Sequence, residues 1–218
     1  VVYDDSFDLG LVADYGYIFN SNELKSVKYG YFNFHPSHLP SYRGSTPLQT
    51  MIFDDVKDSC VTLIKMNEKI DDGKIIASHP FSIKSFDTTQ SLKEKTAIIA
   101  SKMLDNIYKY ICNDIKGKKQ NIKNISLTKK LLKNDCKINF TDILETADKK
   151  IRACYPNPKA FLLINKTRLI IHKAKLSNNR LKIIHIQKEG KNLISFKDYL
   201  SGEPDQSLLD KLKAFCNN

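Results

Sequence analysis

A strand that has to stop is the strongest constraint on this chain. Residues 31–44 read Tyr-Phe-Asn-Phe-His-Pro-Ser-His-Leu-Pro-Ser-Tyr-Arg-Gly. Alternate side chains of a strand share one face. Asn33 and His35 therefore project together, and Phe32 and Phe34 pack on the opposite side. Pro36 holds His35 extended and removes the next ladder donor, so the strand ends there. This sets a carboxamide and an imidazole at a strand's carboxyl end, where open α/β sheets bind ligands. Asn and His near a strand end also serve ordinary turns, so these two residues alone leave both readings open.

The surrounding pattern predicts alternating strands and helices. Residues 8–14 read as a short buried strand, with 15–17 as the loop at its carboxyl end. Thr46 reads as a helix cap, with Pro47 at the first position and Gln49 completing a capping box. Strands are expected over 61–66 and 75–83. Asp87 and Gln90 form a second box, opening a long helix whose Leu92, Thr96, Ile99, Met103, Ile107 and Ile111 make one core stripe. Residues 116–136 are lysine-rich and weakly periodic, the pattern of a connector. Beyond it, Ile143, Ala147, Ile151 and Cys154 share a helical face, with Lys149, Lys150 and Arg152 turned away. Strands follow over 160–164, 168–174 and 181–187, then a closing helix over 208–215. Two domains are thus expected, 1–115 and 137–218, joined by a linker over 116–136.

The 218 residues, 41% of them hydrophobic, suffice for one large core or two modest ones. No apolar run has the length of a membrane span, and no leader is evident, so a cytoplasmic protein is expected. The five cysteines include no C-x-x-C pair, which predicts reduced, mostly buried thiols. The histidines lack metal-ligand spacing, so no metal is expected. Charge is unevenly spread: residues 116–191 hold 20 Lys and Arg against 5 Asp and Glu. A basic half joined to a nearly neutral one suits an enzyme that binds a polyanion. Lys, Asn and Ile are abundant throughout, however, and biased composition produces the same excess.

The run His35-Pro36-Ser37-x-Leu39-Pro40-x-x-Arg43-Gly44, followed by Thr46-Pro47-Leu48-Gln49, resembles the signature of the folate-dependent N-formyltransferases. A second block, from Val61-Thr62 through Met66 to Ile70-Asp71-Asp72-Gly73, resembles that family's aspartate loop. Lys137 to Phe140, and Ile151 to Phe161 with its two prolines, resemble the opening of the C-terminal domain of the two-domain members. The resemblance covers nearly the whole chain. It implies an α/β fold: a partial doubly wound, Rossmann-like formyltransferase domain with a smaller β-rich, OB-like C-terminal domain. The family's opening strand and glycine-containing first turn are not found, so an N-terminally incomplete chain is expected.

What the resemblance implies chemically is transfer of a formyl group from 10-formyltetrahydrofolate to an amine, without a metal. Asn33 would donate to the developing oxyanion, and His35 would move the proton. Asp71 would hold the imidazole and favour its cationic form. Tyr15 and Gly16, Ser37, His38, Leu39 and Pro40, and Asp72 and Gly73 would border the folate. Asp72 also reads as a solvated turn carboxylate, and Asp87 as a helix cap only. Arg43 would approach an anionic substrate group, or bond loop carbonyls instead. The two-domain pattern and the basic half favour members that formylate initiator methionyl-tRNA, acting as a monomer with no membrane partner. Nucleotide-sugar N-formyltransferases share the same site residues. A non-catalytic RNA-binding remnant of such an enzyme is a reading from another class, which joint retention of Asn33, His35 and Asp71 disfavours.

Overall fold

The computed structural model describes residues 6–203 and 205–217. The chain divides into two compact units. The first runs through Met51, then takes Val56–Lys84 and Leu92–Lys130; the second takes Ile52–Asp55, Ser85–Ser91 and Leu131 onward. The protein is α/β.

The first unit holds a four-stranded sheet in the order β1-β2-β3-β4: Gly10–Val12, Tyr31–His35, Asp58–Lys65 and Lys74–Ser82. β1 runs parallel to β2, and the other neighbours are antiparallel. Phe32, Val61, Leu63 and Ile64 are buried on the central strands, as β-branched and aromatic residues in a covered sheet should be. β1 departs from the fully buried strand expected there: Val12 is buried but Leu11 is 52% exposed. β1 pairs with β2 only, so one of its flanks lacks a described strand partner.

Helix α1, Ser21–Leu24, is closed by a reciprocal box in which Asn20 accepts from Glu23 and Glu23 accepts from the Asn20 amide. Helix α2, Pro47–Phe53, begins at the proline as predicted. Thr46 is used differently from the expected box. Its hydroxyl donates to the Lys129 carbonyl and its amide to Thr128 Oγ1. The long predicted helix is two, α3 over Thr89–Lys102 and α4 over Leu104–Ile111, which meet at Met103. The core stripe survives the break: Leu92, Thr96, Met103 and Ile107 are buried. The box that starts α3 is one residue later than predicted. Ser91 N donates to Thr88 Oγ1 and Thr88 N to Ser91 Oγ, while Asp87 accepts from the Ser91 hydroxyl.

The second unit is a five-stranded sheet in sequential order: β5 Lys137–Ile138, β6 Ala160–Ile164, β7 Thr167–Ser177, β8 Arg180–Lys188 and β9 Leu193–Ser195. Helices α5, Leu144–Ala153, α6, Phe196–Gly202, and α7, Gln206–Asn217, complete it. β7 and β8 join through Asn178 and Asn179, both at positive φ, the conformation a two-residue hairpin demands and asparagine tolerates. Ala147, Ile151, Leu162, Ile171, Leu181, Ile186, Leu212 and Phe215 share one core. The α5 stripe starts at Leu144 and not at Ile143, which is the cap and 67% exposed. Arg152, expected on the outer face, is buried and paired with Asp148 at 2.6 Å.

Cys136 and Cys154 form a disulfide with Cα atoms 6.0 Å apart, which corrects the expectation of reduced thiols for that pair. Both are buried in the second core, where the turn before β5 meets the end of α5. Cys60, Cys112 and Cys216 are free. Among the described residues no helix is long and apolar enough to cross a membrane, and no cluster of His, Cys, Asp or Glu is arranged to hold a metal.

Candidate active site

The site is built from the carboxyl end of β2 and the turn between β3 and β4. Strand pairing sets Asn33 opposite Ile64 and His35 opposite Thr62. The β3–β4 turn then brings Asp71 back over them. Asp71 has φ of 48°, a left-handed conformation that Asp adopts more readily than most residues. Its Oδ1 accepts from Asn33 Nδ2 at 3.1 Å, and its Oδ2 accepts from the Gly44 amide at 2.8 Å. The same Oδ2 lies 3.5 Å from His35 Nδ1. Carboxamide, imidazole and carboxylate, predicted from two separate segments, therefore stand together.

The other side of the imidazole is also occupied. His35 Nε2 lies 2.8 Å from the Tyr42 carbonyl oxygen. A carbonyl only accepts, so Nε2 is the protonated, donating nitrogen here. His35 is only 4% exposed, and its ring is gripped from both sides. Asn33 gives one N–H to Asp71, which leaves its second for another acceptor.

The loop after Pro36 is packed tightly. Ser37 is fully buried and donates to the Ser41 carbonyl at 2.6 Å. The Ser37 carbonyl accepts from Thr62 Oγ1 at 2.6 Å and from the Cys60 thiol. Burial pushes the Cys60 thiol up, which keeps it protonated and poorly nucleophilic. Leu39 is buried, Pro40 half-buried and His38 exposed. Of the 37–40 side chains expected to border a ligand, Ser37 and Leu39 are thus turned inward. Their backbone is what remains to be presented.

Gly44 and Gly73 permit the close approaches. Gly44 has φ of +113°, and a Cβ there would meet Thr128 Oγ1 at 2.6 Å. A Cβ on Gly73 would stand 2.0 Å from the Lys65 carbonyl oxygen. Arg43, expected near an anionic substrate group, is 6% exposed and committed elsewhere. It pairs with Asp72 at 2.7 Å and donates twice to Gln120 Oε1. Asp72 is accordingly the Arg43 partner, in place of a free turn carboxylate.

The 15–17 loop stands separately. Tyr15 is 57% exposed, and among the described residues nothing beyond its chain neighbours lies within 4 Å of where a Gly16 side chain would begin. Tyr17 anchors the loop by donating to Glu23 Oε1 at 2.7 Å; that hydrogen bond, with burial and the nearby charge, pushes the phenol up. Asp14 pairs with Lys93 at 2.6 Å. An open cleft of about 430 Å³ lies between Ser21, Leu24 and Lys25 on one side and the 66–69 turn on the other. Its lining includes Asp72 but none of Asn33, His35 and Asp71.

Sequence reasoning missed Tyr42, Gly44 and above all Gln120. The 116–136 stretch is not a bare connector where it meets this site. Lys118 exchanges two backbone bonds with Ile75. Arg43 N donates to the Ser126 carbonyl, and Thr128 N to the Arg43 carbonyl. Nothing in a lysine-rich run without periodicity signals such tertiary pairing.

Comparison with known proteins identifies the lineage. Residues 3–107 match the family model described as formyl transferase, and 130–181 match that of its C-terminal domain. The methionyl-tRNA formyltransferase of Pelagibacter ubique (strain HTCC1062) is 29% identical over 216 residues, covering 89% of this chain and 70% of that one. That of Orientia tsutsugamushi (strain Boryong) is 34% identical over 172 residues, covering 79% and 56%. The chain thus spans between 56% and 70% of these relatives' lengths. Among solved structures, a methionyl-tRNA formyltransferase from Clostridium thermocellum superposes with a TM-score of 0.70 at 21% identity, over 83% of this chain and 77% of that one. WlaRD, a sugar 3N-formyl transferase solved in the presence of dTDP and 5-N-formyl-THF, gives 0.63 at 25% identity, over 84% and 73%. The formyl transferase model, which covers the β2 strand end and the Asp71 turn, is followed in order by the model of its C-terminal domain, and the chain is a member of the formyl transferase family.

Proposed function

We propose that the protein transfers the formyl group of 10-formyltetrahydrofolate to the amino group of methionyl-initiator tRNA. The observation that carries the chemistry is the Asp71 carboxylate bridging Asn33 and His35. Attack of an amine on a formyl carbon develops negative charge on the formyl oxygen. The second N–H of Asn33 stabilises that oxygen. The exchange moves one proton from the attacking amine to the departing folate nitrogen. His35 carries it on Nδ1, the nitrogen left with a lone pair once Nε2 donates to the Tyr42 carbonyl, beside the Asp71 carboxylate. An aminoacyl amine titrates at roughly 7.7–8.0, so a base of ordinary strength suffices.

The folate donor is a substrate, which gives up its formyl group in the exchange. The exposed Tyr15 ring and the open space at Gly16 suit a flat heterocycle. His38, Pro40 and the 37–40 backbone complete that border, with Gly73 supplying the close turn. Arg43 and Asp72 brace the site and leave anion recognition to other groups.

The first unit carries the chemistry and the second binds tRNA, in a cytoplasmic monomer. Support for a tRNA partner comes from the β7–β8 hairpin. There Lys175 stands opposite Lys182, Lys173 opposite His185 and Ser177 opposite Arg180. Lys173, Lys175, Arg180 and Lys182 are all exposed. Like charges set side by side oppose folding, and a phosphate backbone relieves them.

The likeness to the sugar 3N-formyl transferase favours one alternative acceptor, an amino-sugar nucleotide. Offering the protein 10-formyltetrahydrofolate with charged initiator tRNA, or with an amino-sugar nucleotide, decides between them. Formylated methionyl-tRNA is the expected product. Formylation of the sugar alone would move the assignment, and formylation of neither would end it.

A further inference from the structure

Gln120 lies outside both motif blocks, yet its side chain joins them. Its Oε1 accepts from Arg43 Nε at 3.2 Å and from an Arg43 terminal nitrogen at 2.6 Å. Its Nε2 donates to the carbonyl oxygens of Asp71, at 2.7 Å, and Gly73, at 2.8 Å. Guanidinium only donates and carbonyls only accept, so the amide can sit one way round. Both acceptor sites and both donors are in use. Glutamate at this position would lose both donors; lysine would lose both acceptors.

The position of these bonds matters more than their number. Asp71 occupies a left-handed conformation, and Gly73 passes against the Lys65 backbone. Gln120 holds the two carbonyls of that turn from outside. Arg43, held by the same amide, also pairs with Asp72 inside the turn. The segment bearing Gln120 is itself fixed on both sides: Lys118 bonds Ile75 in the backbone, and Ser126 and Thr128 bond Arg43. Asp71 is thereby aimed at Asn33 and His35 by a residue that touches none of the reacting groups.

We propose that Gln120 is a positioning residue, which sets the Asp71 turn and acts on His35 only through the Asp71 carboxylate. This rests on the formyl-transfer reading for its kinetic consequence, but its structural consequence is independent of it. Loss of the Nε2 donors frees the turn, the carboxylate drifts from His35 Nδ1, and the ring loses one of its two constraints.

The test uses Gln120→Glu, Gln120→Ala, Asp71→Ala and the double variant Gln120→Glu/Asp71→Ala in the whole chain. The first readout is the set of His35 ring ¹⁵N shifts, assigned by their loss in His35→Gln. The Gln120 variants are expected to shift these signals toward the Asp71→Ala values, with the fold intact by circular dichroism. The second is formyl transfer, where Gln120→Glu is expected to lower kcat about 10- to 100-fold with KM for the folate within about threefold. In the Asp71→Ala background the same change is expected to cost nothing further. Unmoved His35 signals, or a loss that persists undiminished in that background, would overturn the proposal. An inactive wild-type protein would defeat the formyl-transfer reading instead, and the ring shifts would still decide the role of Gln120.

Discussion

Asp71 Oδ1 accepts a hydrogen bond from Asn33 Nδ2 at 3.1 Å, across 38 positions of sequence. Its other oxygen accepts from Gly44 and faces His35. Asn33 and Gly44 each present a hydrogen, one to either oxygen of this carboxylate. Asp71→Asn keeps the shape but must turn an NH₂ toward a donor in either orientation. Its kcat for formyl transfer should fall by about 10²-fold or more, and Asn33→Ala should fall by about 10²–10³ as an oxyanion donor is lost. Stopped-flow single-turnover measurements separate these losses from product release. Near-normal turnover by either variant would remove it from the mechanism.

Gly73 makes a different, purely steric demand. A β-carbon there would stand 2.0 Å from the Lys65 carbonyl oxygen, and backbone cannot swing aside as a flexible side chain can. Gly73→Ala should destabilise the first unit by about 1–3 kcal/mol, the usual cost of overpacking. Urea unfolding of the variant against the parent measures this directly. Gly202→Ala, where among the described residues a β-carbon would meet nothing within 4 Å beyond its chain neighbours and its own helix backbone, is the control and should show little change.

The legible part of the site was its strand. Period-two alternation and Pro36 were enough to place Asn33 with His35. The β6, β7 and β8 strands were likewise readable from their branched and aromatic runs. What could not be read is what tertiary packing decides. Met103 is a good helix former, and nothing local marks the break between α3 and α4. Arg43 carries the same sequence signature whether it meets a substrate anion or, as here, Asp72 and Gln120. Gln120 makes all its side-chain bonds with residues more than 40 positions away. The Cys136–Cys154 bridge, 18 residues apart, follows from where α5 ends and not from any motif.

His172 supplies a pH dependence to the second unit. It sits at the irregularity in the β7–β8 register, between Ile171 and Lys173. Burial pushes its pKa below the ordinary histidine value, and nearby Lys159 and His185 add to this, while the bond to Gln187 opposes it. The unfolded chain therefore binds this proton at higher pH than the folded one does. The contribution to stability is complete above about pH 6.5, the ordinary value, and declines as pH falls below it. His172→Gln retains a donor for Gln187 Oε1 and should flatten that slope between about pH 6.5 and 5. Denaturant melts across this range, parent against variant, give the two slopes.

The β7–β8 hairpin allows stability and binding to be moved in opposite directions by one change. Lys175 and Lys182 are direct cross-strand partners, both exposed. Relieving such a like-charge pair should stabilise a sheet by about 0.2–1 kcal/mol. If the hairpin follows a phosphate backbone, the same lysines release counterions on binding. Lys175→Gln/Lys182→Gln should then fold slightly more stably yet bind methionyl-tRNA more weakly. The slope of log K against log salt should shrink by roughly one to two, about 0.7–0.9 for each phosphate no longer neutralised. Formylation of a small amine acceptor, which has no phosphates to hold, should be unchanged. Greater stability with an unaltered salt slope would assign the pair to the fold alone and place the tRNA on another face.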